Sequence, residues 1–128
     1  MPRFLTMIRI DEQSHPAESA SPEFAERMGA LFQEITKAGV MLDTAGLTPT
    51  SEGTRITWSG GKLSSIDGPF TETKEVIGGF AILNYETHEE AIAGARRVMQ
   101  IHTDCGVSDL EIEIRPMWEN PPCQEAVR

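Results

Sequence analysis

Three groups of side chains in this sequence are of a type and spacing that could do chemistry. His15 and Asp43 form the first. A carboxylate bonded to an imidazole fixes its tautomer and raises its basicity, which is what a general base needs. His15 lies in a polar stretch, where a surface histidine is the ordinary alternative. Asp43 falls mid-strand, on the face opposite Val40 and Leu42, a place for a carboxylate that lines a recess. The second group runs from Asp67 to Glu75. Asp67, Gly68 and Pro69 read as a turn whose carboxylate accepts local backbone N–H bonds. Phe70 would plug the core, and Glu72, Lys74 and Glu75 form a mixed-charge set able to hold a polar ligand. An architectural turn with solvated charges is the other reading of this segment. The third group, His102-Thr103-Asp104-Cys105, closes a helical run. A helix C-terminus favours a protonated histidine and opposes a thiolate, so a structural role suffices there.

Metal and cofactor chemistry is not expected. His15, His88 and His102 are scattered, with no HxH, HExxH or paired-cysteine spacing. Gly60-Gly61-Lys62 joins two strands instead of opening a helix, so it is not a phosphate loop, and there is no dinucleotide fingerprint.

The elements that must position these groups are well punctuated. Arg3–Ile10 reads as a strand with Phe4, Thr6, Ile8 and Ile10 on one face and Leu5, Met7 and Arg9 on the other. Residues 11–21 form a long polar loop. Ser21 as N-cap, Pro22 at the first position and Glu23 open a helix whose stripe is Phe24, Met28, Leu31, Phe32 and Ile35, ending at Lys37 and Gly39. A strand follows over Val40–Thr44. Next comes a hairpin of residues 54–59 and 62–66 around Gly60-Gly61. Residues 77–85 are strand-like and apolar on both faces. Thr87 and Glu90 make a capping box for a second helix burying Ala91, Ile92, Ala95, Val98, Met99 and His102. Leu110–Arg115 alternates as the last strand, and residues 119–128 form a tail beyond a single domain of residues 1–118.

This order is an α+β fold, a ferredoxin-like split βαβ with an inserted β-hairpin: an antiparallel sheet with two helices on one face. Two helices leave the second face bare, yet the strands at 3–10 and 77–85 are apolar there too. Large exposed apolar patches mark interfaces, and a two-fold copy is the commonest cover. A homodimer is therefore expected, with a dry seam and a polar recess near Arg9, Glu111, Glu113 and Arg115.

Asp67-Gly68-Pro69-Phe70-Thr71-Glu72-Thr73-Lys74-Glu75, followed by Gly78-Gly79-Phe80, closely resembles the signature of the YCII-related, or DGPF-domain, family. Arg3-Phe4, Ala38-Gly39-Val40, Ser59-Gly60-Gly61-Lys62, Glu89-Glu90-Ala91-Ile92 and Ile112-Glu113-Ile114-Arg115-Pro116 resemble it in the same order. The resemblance implies a dimeric α+β barrel. Some members of the family lie beside or are fused to sigma factors of the extracytoplasmic-function type. Some wider relatives are enzymes using a His–Asp pair without metal, a pair this chain does not clearly reproduce.

Twenty acidic against eleven basic residues give a net charge of −9. Such a surface repels nucleic acid and anionic lipid, so neither is an expected partner. With no apolar leader or spanning segment, and with Cys105 and Cys123 outside any CxxC spacing, the expected compartment is the cytoplasm. Two functions fit. One is a small-molecule-binding protein or cofactor-free acid–base enzyme with its pocket at the sheet face of the homodimer. It would use His15 and Asp43 for catalysis and Arg9, Asp67, Phe70, Glu72 and Lys74 for the ligand. The other is a non-catalytic accessory or sensory partner of a transcription (sigma) factor.

Overall fold

The computed structural model describes residues 2–10, 21–70, 76–107 and 110–119. Along the chain these are β1 (Arg3–Ile10), α1 (Pro22–Lys37), β2 (Met41–Gly46), a 3-10 turn (Thr50–Glu52), β3 (Thr54–Ser59), β4 (Lys62–Asp67), β5 (Val76–Asn84), α2 (His88–Asp104) and β6 (Glu111–Pro116). Four strands form one antiparallel sheet in the order β2-β5-β1-β6, and β3 and β4 pair separately. Each βαβ unit is split by a strand from the other, so the expected α+β, ferredoxin-like arrangement with its inserted hairpin is the one found.

The ends of the elements follow from their residues. Ser21 Oγ accepts from Phe24 N at 3.2 Å, and Thr87 Oγ1 accepts from Glu90 N at 3.1 Å, each satisfying a donor that the first helical turn leaves open. Glu90 reaches back past Thr87 to accept from Glu86 N at 3.3 Å, one residue beyond the expected capping box. Gly39 takes φ +75° after α1, where Val40 N bonds Ile35 O. Gly60 and Gly61 both have positive φ, which matches the twist of the β3–β4 hairpin.

Strand β1 pairs on both sides, and its register sorts the two faces. Phe4, Thr6 and Ile8 lie opposite Leu83, Ala81 and Gly79 on one side and Pro116, Ile114 and Ile112 on the other. This face carries the helices, and the core residues Phe4, Leu31, Leu83, Ala91, Ala95 and Ile101 are buried there. Leu5, Met7 and Arg9 point to the open face with Ile82, Phe80 and Ile77. A register shift between Met41 and Asp43 splits β2: Met41 pairs with Leu83 on the helix side, whereas Asp43 pairs with Ile82 on the open side. Strict alternation would have kept those two residues on one face.

Antiparallel helices α1 and α2 are clamped at two levels. Arg97 Nη1 donates to Glu34 Oε2 at 2.5 Å, and Arg27 Nη1 lies 3.0 Å from Asp104 Oδ2. Among the described residues, no helix is long and apolar enough to cross a membrane.

Candidate functional site

The open sheet face holds Arg9 and Asp43, but not together. Arg9 Nε and Nη2 donate to Glu113 Oε1 at 3.2 and 2.9 Å, and Arg115 Nη1 stands 3.8 Å from Glu113 Oε2. Charged side chains of β1 and β6 thus meet on this face. Asp43 is exposed, and its Oδ1 accepts from Thr44 N at 2.9 Å. Arg9 pairs with Ile77 and Asp43 is paired with Ile82, five positions along β5, or about 16 Å of strand. His15 lies outside the described residues, and so do Glu72 and Lys74.

Asp67 and Phe70 sit at the base of the hairpin, away from the four-stranded sheet. Asp67 Oδ1 accepts from Thr54 Oγ1 at 3.0 Å, a side-chain tie across β3 and β4 in place of the expected backbone bonds. Phe70 does not plug the main core. Its ring carries the Arg55 guanidinium 4.1 Å above it and packs beside Gly53, and its N–H donates to Thr50 Oγ1 at 3.3 Å. Gly68 is required there: its N–H bonds Gly53 O at 2.9 Å, and an added Cβ would run into the Thr50 carbonyl.

A half-open hollow lies on the other side of the sheet. Between the helices and the strands is a cavity of about 730 Å³, walled by apolar side chains that include Ile8, Phe24, Met28, Leu31, Ile35 and Val98. That volume is within the range of small-molecule sites, which are mostly apolar with a few placed polar groups. The α1 stripe read from the sequence supplies one wall, and the helix-facing row of β1 supplies the floor.

Most polar groups in the wall are already committed. Ser21 caps α1, Thr44 Oγ1 donates to Phe80 O at 2.9 Å, and Arg97 holds Glu34. Thr6, Tyr85 and His102 are different. Thr6 is 8% exposed and lies in the β1 row that lines the floor. His102 Nδ1 lies 2.8 Å from Val98 O, so that nitrogen carries a proton and donates, which leaves Nε2 as the ring's other polar atom, an acceptor in the neutral tautomer. The imidazole also meets the Phe24 ring edge-on, with centroids 4.8 Å apart. Burial pushes the Tyr85 phenol above its ordinary pKa, with Arg97 opposing.

The charged groups over the helices are shifted by the clamps. Arg97 holds Glu34 below the usual carboxylate range, and Gln100 and then Arg27 do the same for Asp104. Thr6 and Tyr85 are not among the site candidates read from the sequence, and His102, weighed there in the third group, is given a structural role. One signal was available, since Thr6 is the single polar residue in the row Phe4, Thr6, Ile8, Ile10.

Comparison with known proteins gives this arrangement a lineage. An uncharacterised protein of Rhizobium meliloti (strain 1021) is 30% identical over 90 residues, covering 70% of this chain and 69% of that protein. The YCII-related domain matches residues 3–113, which include the whole sheet as far as Glu113, both helices and the hairpin. With a match of that extent, the chain belongs to the YCII-related domain family.

Proposed function

We propose that this protein binds a small, largely apolar molecule in the cavity between its sheet and helices, and that it works as a homodimer joined through the open sheet faces. The observation that carries the binding reading is the cavity itself, a volume of about 730 Å³ walled mostly by hydrocarbon, with Thr6, Tyr85 and His102 among its few polar lining residues. The expected location was the opposite face, at the dimer seam. There the Arg9–Glu113 pair is mutually satisfied and Asp43 stands at the far end of the sheet, so that face is better suited to association than to holding a ligand. The test uses N-phenyl-1-naphthylamine, an uncharged fluorophore that brightens in apolar surroundings. Saturable uptake of one molecule per chain is expected, weakened in Met28→Trp, which narrows the cavity. Uptake that never saturates would overturn the reading.

The acid–base form of this function rests on His15 and Asp43. It expects the two to titrate as a coupled pair in NMR, and independent titrations would remove it.

A second reading, as the accessory partner of a sigma factor, is supported by the hairpin. Ile56, Trp58 and Leu63 share one of its faces, and each is 71% exposed. A two-stranded hairpin with such a face gains stability from a partner, and the acid excess suits a basic one. It expects stable co-elution with a purified sigma factor of the extracytoplasmic-function type, abolished by Trp58→Ser. Separate elution would count against it.

A further inference from the structure

The cavity's polar groups define its ligand more closely, provided that the cavity is the binding site proposed for it. His102 and Gly94 are eight residues apart on α2, about 12 Å along the helix. The Tyr85 hydroxyl occupies the space where a Gly94 side chain would begin, so His102 and Tyr85 stand at opposite ends of the cavity. Thr6 lies between them on the floor. Neither the Thr6 nor the Tyr85 hydroxyl is a sealed, unsatisfied atom, and both residues line the cavity. At the other end, His102 Nδ1 has bonded Val98 O, so Nε2 is the ring atom that would meet a ligand, as an acceptor in the neutral tautomer.

The described lining favours an uncharged ligand. Among the described residues no carboxylate lines the cavity, so an ammonium group would lack a partner. An anion would find Arg97 already bonded to Glu34 and would enter against a net charge of −9. An unpaired charge among Ile8, Phe24 and Met28 would be strongly disfavoured. The volume accommodates on the order of twenty non-hydrogen atoms at about 30 Å³ each.

We infer that the cavity receives an elongated, uncharged, mostly hydrocarbon molecule with a hydroxyl-like group at each end, one donating to His102 Nε2 and the other meeting the Tyr85 hydroxyl, with Thr6 beneath its middle. The experiment displaces N-phenyl-1-naphthylamine from the full chain with ten-carbon competitors: the α,ω-diol and the monocarboxylate. The diol is expected to displace the fluorophore at roughly one-tenth the concentration the carboxylate requires. His102→Phe and Tyr85→Phe are each expected to weaken the diol about fivefold, the loss of one hydrogen bond, with an unchanged circular dichroism spectrum. Should His102→Phe fail to fold, Tyr85→Phe carries the comparison alone. If the carboxylate competes as well as the diol, or if folded variants bind the diol as tightly as the parent, the ligand class is wrong while the binding reading stands. If the fluorophore is never taken up, both fall.

Discussion

The Tyr85 ring meets Phe4 edge-on, with centroids 6.5 Å apart, and its hydroxyl abuts Gly94. That contact gives a reason for a glycine inside α2, where alanine would ordinarily be preferred by about 1 kcal/mol. Burial raises the phenol's pKa above its ordinary 10.0. A group whose pKa is raised on folding contributes stability below its unfolded pKa and loses that contribution as pH climbs through the folded one. The protein is therefore expected to lose stability above about pH 10, and Tyr85→Phe to flatten that part of the profile. Tyr85 is the only tyrosine, so the ultraviolet absorbance of tyrosinate reports it alone. A midpoint at or below the ordinary value would contradict that burial. At this scale the sequence could identify candidates but not surroundings. His102 reads from the sequence as a helix-end residue, and the structure adds its Nδ1 bond to Val98 O and its edge-on contact with the Phe24 ring.

At the level of elements, local chemistry and structure agree closely. The caps, the left-handed glycines of the hairpin and the α1 stripe are all decided by neighbours within a few residues. Thr87→Ala is expected to destabilise the fold by about 1 kcal/mol in urea denaturation, and Thr87→Gly by only a few tenths, because a glycine cap leaves the N-terminal N–H groups open to water. Equal losses in both variants would show that Thr87 matters for packing and not as a cap. The two clamps between α1 and α2 are exposed ion pairs, and such pairs are screened by salt. Their carboxylates are depressed, so their contribution is present above the unfolded carboxylate pKa and fades as pH falls through the folded values. The β2 bulge was less legible. It separates Met41 from Asp43 through pairing with β5, which lies more than thirty residues away in sequence.

For the whole molecule, the open sheet face is the outstanding feature. Leu5, Met7, Phe80 and Ile82 share it, flanked by the Arg9–Glu113 pair. Burying apolar surface contributes about 25 cal/mol per Å² before the costs of association, and an isologous two-fold contact would cover two such faces at once. Sedimentation is expected to find a dimer at micromolar concentration, dispersed to single chains by Met7→Glu, which sets two like charges across the seam. A wild-type single chain at that concentration would remove the dimer while leaving the interior cavity in place.

The sequence by itself determined the elements, their order and the imbalance between two helices and a sheet apolar on both faces, because periodicity and capping depend on near neighbours. It also carried the signature by which the family is recognised. Only the tertiary structure decided which candidates meet. Strand register placed Arg9 and Asp43 at opposite ends of one face, and the hairpin carried Asp67 and Phe70 off the sheet. The half-open cavity arose where helix stripes stand over Thr6, with Tyr85 and His102 also in its lining. Distances across a sheet depend on pairings between residues far apart in the chain, and no local pattern encodes them.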